Sequence, residues 1–130
     1  MSERSKDWLW QAERDLNHAK NSKTAGDYEW ACFAAQQAAE KAIKAVFQAH
    51  HMEGWGHVLI KLMEELKQVV SHVSEELMEA SRNLDKFYIP TRYPNGFAAG
   101  APGQFYSEKD SNEAIHYASI IIEFSKNKIG

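Results

Sequence analysis

The chain has 130 residues, of which 44% are hydrophobic and 25% charged, a composition typical of one compact domain rather than two. Its 15 basic and 18 acidic residues give a net charge of −3, which argues against a protein that coats nucleic acid by bulk attraction but permits a local basic site. The single cysteine, Cys32, excludes an intrachain disulfide, and since no apolar run is long enough to span a membrane, we expect a cytoplasmic protein without a membrane anchor.

The first two helices are predicted from apolar spacing and from the chain breaks beside them. Apolar residues recur every three to four positions after Ser5, which predicts a first helix capped by Ser5 and running to about Lys23. Gly26 then breaks the chain, and Asp27 is expected to cap a second helix that continues to His50 or His51.

The second predicted helix has an unusually narrow polar face. At about 100° per residue, its polar side chains fall within an arc of about 140°, and they are Gln36, Gln37, Glu40, Lys41, Lys44 and Gln48. The rest of the helix is apolar and rich in alanine, so we expect a central helix with neighbours on several sides. The polar face has two interpretations: Lys41 or Lys44 supplies charge to a phosphate site, or the face is solvated, with a Glu40–Lys44 ion pair.

Three further helices complete the predicted fold. A third begins near His57, a fourth begins after Ser74, and a fifth begins after Ser107, with Asp110 placed to complete a capping box. The pattern therefore predicts an all-α, up-and-down bundle of about five helices, forming a single domain over residues 1–130.

The segment from about residue 88 to 106, between the fourth and fifth helices, is predicted to be a long irregular loop. It contains all three prolines, five aromatic residues and one charged side chain, Arg92. Loops of this length tend to be functional or disordered, and the aromatic content disfavours disorder. Pro90 and Pro94 restrict the backbone around Arg92 and are expected to hold its guanidinium in a defined place.

Arg92 has two interpretations. A fixed guanidinium beside Tyr88 and Tyr93 is suited to clamp a phosphate while the rings stack on a base, which predicts nucleotide or RNA binding. In the other interpretation, Arg92 pairs with a carboxylate such as Asp85 and pins the loop to the bundle. In the first case, the phosphate site would also draw on the second helix, through Gln37, Lys41 and Lys44.

Metal and thiol chemistry are both disfavoured. His50, His51 and His57 are close in sequence but lack the fixed spacing of a zinc motif, so we expect no metal and no cofactor other than a nucleotide ligand. Cys32 has no activating neighbour in the sequence and is expected to be a buried, small apolar residue.

Several of these stretches resemble one known family. They are QQAAEKAIKA at residues 36–45, Gly56-His57, Leu84-Asp85 with Tyr88, and Thr91-Arg92-Tyr93-Pro94. In this order, they make the chain similar to the HEPN family (higher eukaryotes and prokaryotes nucleotide-binding domain) over nearly its whole length. The resemblance implies a homodimeric helical bundle, often encoded beside a minimal nucleotidyltransferase with which it forms a two-component or toxin–antitoxin system.

The resemblance also raises the question of RNase activity. Many members of the family are metal-independent RNases whose motif is an Arg, four to six residues and then a His. Counted from Arg92, the histidine positions are occupied by Phe97, Ala98 and Ala99. The usual imidazole for acid–base chemistry at the ribose 2′-hydroxyl is therefore missing.

The leading prediction is a non-catalytic or weakly catalytic dimer that binds a nucleotide or RNA phosphate near Arg92 and acts as partner to a nucleotidyltransferase. Two alternatives stay open. One is an RNase with a divergent site that combines Arg92 with His57 or His116. The other is a purely structural protein-interaction domain.

Overall fold

The structure is a computed structural model that describes residues 3–130, so the first two residues of the predicted domain lie outside the described residues. Its helices are α1 (Ser5–Thr24), α2 (Tyr28–Ala49), α3 (Leu59–Leu66), α4 (Glu75–Asp85) and α5 (Glu108–Ile129). Two short 3-10 turns, Pro94–Gly96 and Pro102–Gln104, lie between α4 and α5. The described residues contain five α-helices and no strand, which confirms the predicted all-α class.

Two helices begin at the caps that the sequence predicts. The Ser74 hydroxyl accepts a hydrogen bond from the backbone N–H of Leu77 at 3.2 Å. At α5, the Ser107 hydroxyl accepts from the N–H of Asp110 at 3.3 Å, and the Asp110 carboxylate accepts from the N–H of Ser107 at 2.9 Å. These bonds satisfy backbone donors that have no partner within their helix, and each cap stabilises its helix by about 1 kcal/mol.

The predicted starts of the first and second helices need correction. Ser5 is the first helical residue of α1 rather than its cap, and Arg4 occupies the N-cap position. The Ser5 hydroxyl donates to the Glu3 carboxylate at 2.7 Å. Its partner is therefore a residue that precedes the helix, and not a backbone group of the helix. Asp27 does occupy the N-cap of α2, but its side chain makes no capping hydrogen bond there.

The cap of α3 comes from a distant part of the chain. This helix begins at Leu59, two residues after His57, and its own N-cap residue, Val58, has no side-chain acceptor. The Asp85 carboxylate, at the end of α4, accepts instead from the backbone N–H groups of Leu59 at 2.6 Å and Ile60 at 3.0 Å. The start of α3 is thereby joined to the end of α4.

Helix α2 lies at the centre of the bundle, as predicted. It packs against α1 and α5 most extensively and also contacts α3, α4 and the second 3-10 turn. The seven alanines from Ala31 to Ala45 are all buried, and their small side chains let the neighbouring helices approach closely. None of the helices in residues 3–130 combines the length and the hydropathy needed to span a bilayer.

The irregular segment between α4 and α5 is ordered around its own aromatic side chains. Phe97 stacks on Phe105 with ring centres 4.5 Å apart, and the edge of Tyr106 contacts both Phe97 and Phe87. Gly100 has a φ of +85°, and a Cβ there would lie 2.9 Å from the Phe105 ring. Glycine is therefore required at the bend that folds the segment onto these rings.

Candidate functional site

One row of polar side chains on α2 is covered by the rest of the molecule instead of by water. Gln36 is fully buried and Glu40 is only 5% exposed. The Lys44 ammonium donates to the Glu40 carboxylate at 3.1 Å, so the predicted Glu40–Lys44 ion pair is confirmed. The interpretation of the polar face as simply solvated fails for this row. A carboxylate in such a position needs charge and hydrogen-bond partners.

His57 provides the second partner of Glu40. Its Nδ1 lies 2.9 Å from one oxygen of the Glu40 carboxylate and 3.1 Å from the other. Because a carboxylate only accepts, the hydrogen bond assigns the proton to Nδ1 and leaves Nε2 free. The His57 side chain is 54% exposed. Glu40 therefore orients a half-exposed imidazole, an arrangement suited to proton transfer.

The His57 ring stacks on Tyr88, which connects it to the irregular segment. The two ring centres are 5.1 Å apart and the planes differ by 18°. Tyr88 in turn contacts the half-buried guanidinium of Arg92, whose central carbon lies 4.9 Å from the Tyr88 ring centre. Phe33 of α2 and Tyr93 also face this guanidinium, at 4.3 Å and 5.2 Å.

Arg92 is held by the backbone as well as by the rings. Its Nε donates to the Tyr88 carbonyl at 3.0 Å, and the hydroxyl of the buried Thr91 donates to the Phe87 carbonyl at 2.7 Å. These two bonds set the turn that follows α4. Pro90 lies inside this turn and Pro94 begins the next 3-10 turn, so the prolines bracket Arg92 as predicted.

The charge of Arg92 is not neutralised by a carboxylate within residues 3–130, and its two terminal nitrogens make no hydrogen bond there. The interpretation in which Arg92 pairs with Asp85 is wrong, because both oxygens of Asp85 accept from the start of α3. Three aromatic faces stabilise the guanidinium without occupying its outer donors. Arg92 therefore presents a positioned positive charge to an incoming anion.

The carboxyl group of Asp85 interacts electrostatically with Glu40. Burial raises the pKa of its carboxyl, and the negative charge of nearby Glu40 raises it further, while the two backbone hydrogen bonds partly offset both effects. The pKa therefore lies above its ordinary value. Asp85 acts as a support that holds α3, and with it His57, against the end of α4.

Five side chains, those of Phe33, Glu40, His57, Tyr88 and Arg92, form a contiguous cluster. Of the remaining predicted residues, one lies next to this cluster and two lie away from it. Gln37 donates to the buried Gln36 at 2.7 Å and lies on the adjoining surface of α2. Lys41 binds the Asp15 carboxylate of α1 and lines a separate open cavity beside α1. His116 is exposed on α5, and within the described part of the chain its recorded ring contact is to Tyr117, not to the cluster.

Two residues of the cluster were not identified from the sequence as parts of the site. The sequence pattern identifies Phe33 only as an apolar residue of the second helix, yet its ring is the aromatic ring nearest to the Arg92 guanidinium. Glu40 was paired only with Lys44, yet it also holds His57. Glu40 lies within residues 36–45, the stretch that carries the family resemblance, and Phe33 lies three residues before it. The resemblance is therefore the sequence signal that could have identified them.

The described residues offer little to metal or thiol chemistry. Within residues 3–130, no group of three or more His, Cys, Asp or Glu side chains is arranged to hold a metal ion. Cys32 is buried, as predicted, and burial is the main cause that raises the pKa of its thiol to about 12. A thiol with such a pKa stays protonated and is a poor nucleophile.

The family model of the HEPN domain matches residues 5–129 of the sequence. The chain belongs to the HEPN family. Among curated proteins there is no match to this chain. Solved structures give a consistent result: a Thermus thermophilus protein is similar at 45% identity with a TM-score of 0.94, over 98% of this chain and 99% of that one.

Two further solved structures are HEPN proteins by their own descriptions. An archaeal HEPN homologue is 38% identical, with a TM-score of 0.83 and 98% of each chain covered. A HEPN domain protein from Thermotoga maritima is 34% identical, with a TM-score of 0.75, over 93% of this chain and 95% of that one. In the present HEPN domain, the imidazole that shares Tyr88 with Arg92 comes from the start of α3, not from the loop after Arg92.

Proposed function

We propose that this HEPN protein binds a phosphate group of a nucleotide or of RNA at Arg92. The observation that carries the proposal is the guanidinium itself. Three aromatic rings and the Tyr88 carbonyl hold it in place, while its terminal nitrogens form no hydrogen bond with any other residue in the range 3–130. A guanidinium fixed in this way loses little side-chain entropy when it binds an oxyanion through two parallel hydrogen bonds.

The surrounding charges support an anion at Arg92. Glu40 is buried, and Lys44 and His57 both bond to its carboxylate. Its negative charge is therefore largely compensated before a ligand arrives. The half-exposed ring of Tyr93 lies beside the same guanidinium and provides a stacking surface for a base or sugar.

Calorimetric titration of the purified protein with ATP, GTP and a short single-stranded RNA tests this proposal. Replacing Arg92 by Ala should weaken binding by about 10-fold or more, because a hydrogen bond to a charged group contributes about 1.5–3 kcal/mol. Arg92→Lys should recover only part of the affinity, since an ammonium cannot bind two oxygens in a fork.

The matched control is Arg14→Ala, since Arg14 also lies over an aromatic ring, that of Trp10, but is exposed on α1 away from the cluster. This variant should bind like the wild type. The proposed phosphate site is refuted if the wild type and Arg92→Ala bind these ligands with equal affinity, or if neither binds them.

A second candidate function is RNA cleavage with a divergent site, and one observation favours it. The buried Glu40 orients the half-exposed imidazole of His57, and both His57 and Arg92 contact Tyr88. An imidazole of this kind can take the proton of a ribose 2′-hydroxyl as its oxygen attacks the phosphorus, and then return the proton to the 5′-oxygen as the bond from phosphorus to that oxygen breaks. Arg92 stabilises the phosphorane charge between these steps.

The test is degradation of tRNA and of a short RNA in the presence of a metal chelator. If His57 is the base, His57→Ala abolishes cleavage and Glu40→Gln reduces it, because a neutral amide oxygen accepts the Nδ1 hydrogen bond more weakly and no longer offsets the charge of the protonated imidazole. His116→Ala, which alters an exposed histidine outside the cluster, serves as the control and should retain full activity. No cleavage by the wild type, or cleavage that survives His57→Ala, rejects this second function.

Homodimerisation and a minimal nucleotidyltransferase partner belong to the same proposal, and their support is membership of the HEPN family. Light scattering after size-exclusion chromatography measures the first. Co-expression with the product of a neighbouring nucleotidyltransferase gene, followed by co-purification, measures the second. A complex that forms equally well with Arg92→Ala, in a protein that binds no nucleotide, would support the purely structural alternative.

A further inference from the structure

His57 also lines an open cavity of about 290 Å³ beside the phosphate site. The cavity lies where α1, the carboxyl-terminal half of α2 and the α2–α3 connection meet. Its lining includes two indole rings, one amide and one carboxylate in addition to Lys44 and His57: Trp8, Trp55, Gln48 and Glu53. None of these four side chains has a part in the phosphate site proposed above.

We propose that this cavity is a nucleobase subsite, in which the base of a nucleotide stacks on Trp55 while its phosphate is held at Arg92. The inference rests on the proposed phosphate site, because it takes the two ends of one ligand to occupy the two places. The ligand chemistry is a nucleoside phosphate, supplied either as a free nucleotide or as one residue of single-stranded RNA.

The first argument is the exposure of Trp55. Its side chain is 80% exposed, the highest fraction among the large hydrophobic residues within residues 3–130. No aromatic or cationic partner of its ring is recorded in that part of the chain. Covering an exposed indole removes apolar surface from water, and the flat face of a base does so by stacking on the ring.

The second argument is the path from the cavity to Arg92. His57 lines the cavity and stacks on Tyr88, and Tyr88 contacts the Arg92 guanidinium. A single stack of an imidazole on a phenol therefore separates the cavity from the positive charge.

The third argument concerns the polar groups of the lining and indicates which base fits. The Glu53 carboxylate forms no hydrogen bond or ion pair with any other residue in the range 3–130. The Lys44 ammonium, in contrast, is already bonded to Glu40. A carboxylate only accepts hydrogen bonds. Guanine offers two adjacent N–H donors on its Watson–Crick edge, while adenine places an acceptor nitrogen there. The lining therefore favours guanine, with the Gln48 amide as a further donor and acceptor.

Titration calorimetry with GMP, AMP and ribose 5-phosphate separates the base contribution from the phosphate contribution. The wild type should bind GMP about 10-fold or more tightly than ribose 5-phosphate, as expected when a base gains an aromatic stacking partner. Trp55→Ala should remove most of this difference and leave ribose 5-phosphate affinity unchanged, while Trp55→Phe should retain part of it. Glu53→Gln should bring GMP and AMP affinities together.

The matched control is Trp10→Ala, since Trp10 is 61% exposed on α1 but does not line the cavity. This variant should bind GMP like the wild type. Comparing GMP with a single-stranded tetranucleotide that contains one guanine shows which source of ligand binds more tightly.

The outcomes separate the two proposals. If GMP and ribose 5-phosphate bind equally and both need Arg92, the phosphate site stands and the base subsite is rejected. If GMP binding depends on Trp55 but not on Arg92, the contact of the base with Trp55 stands, while the phosphate site and the single ligand that joins the two places are rejected. If none of the ligands binds, both proposals are rejected. If Trp55 is instead covered in a complex with another protein, its surface is a protein contact.

Discussion

Asp85 gives the sharpest test of how the site is held together, because it supports α3 from a different helix. Replacing Asp85 by Ala removes the acceptor of the Leu59 and Ile60 N–H groups, at 2.6 Å and 3.0 Å. Val58 cannot replace it as a cap. A lost cap costs about 0.5–2 kcal/mol of stability. The gain from removing a half-buried charge close to Glu40 offsets part of this cost.

The expected net effect of Asp85→Ala at neutral pH is therefore a loss of about 1 kcal/mol of unfolding free energy. Urea denaturation followed by far-UV circular dichroism measures it. Glu64→Ala is the matched control, since Glu64 is an exposed carboxylate on α3 itself, and it should change stability by less than about 0.5 kcal/mol. Equal stability of the Asp85→Ala, Glu64→Ala and wild-type proteins would refute the capping role.

The same carboxyl predicts a pH dependence with a definite sign. The pKa of Asp85 in the folded state is raised above its ordinary value of 3.8, chiefly by burial. The folded state thus binds this proton more tightly than the unfolded state, and ionisation of Asp85 costs stability. As pH rises from 3.8 through the raised value, the wild type should lose stability relative to Asp85→Asn. A stability difference that stays constant across this range, measured by urea denaturation, contradicts the assignment.

Three further experiments test the loop bend at Gly100, the cap of α5 and the burial of Cys32. Gly100→Ala should cost about 1–2 kcal/mol in urea denaturation, because its φ is +85° and a Cβ would meet the Phe105 ring; unchanged stability would show that the bend relaxes. Ser107→Ala should cost about 1 kcal/mol in the same assay by removing the cap of α5, and no loss would count against the capping box. The Cys32 thiol, with its pKa raised to about 12, should react with a thiol reagent at mildly alkaline pH only after unfolding, and rapid labelling of the native protein would be inconsistent with its burial.

The five helices could be predicted from the sequence, since helix formation depends largely on local chemistry. The caps at Ser74 and Ser107 join residues only three positions apart, and their patterns are visible in the printed sequence. The alanine-rich, narrow polar pattern of α2 predicted its central position correctly. The clustering of the prolines located the irregular segment, and the position of Arg92 within it drew attention to the one charge that the segment contains.

Tertiary structure decided which side chains meet at the site. Glu40 and His57 are 17 positions apart and Asp85 bonds to residues 25 and 26 positions before it, so no local pattern connects them. One of the two interpretations of Arg92 paired it with Asp85, whereas packing places Asp85 at the start of α3 and Arg92 among aromatic rings. A polar face of a helix has the same sequence pattern whether water or another element covers it. Only the packed chain decides whether a glutamate there is a solvated charge or the buried partner of a histidine.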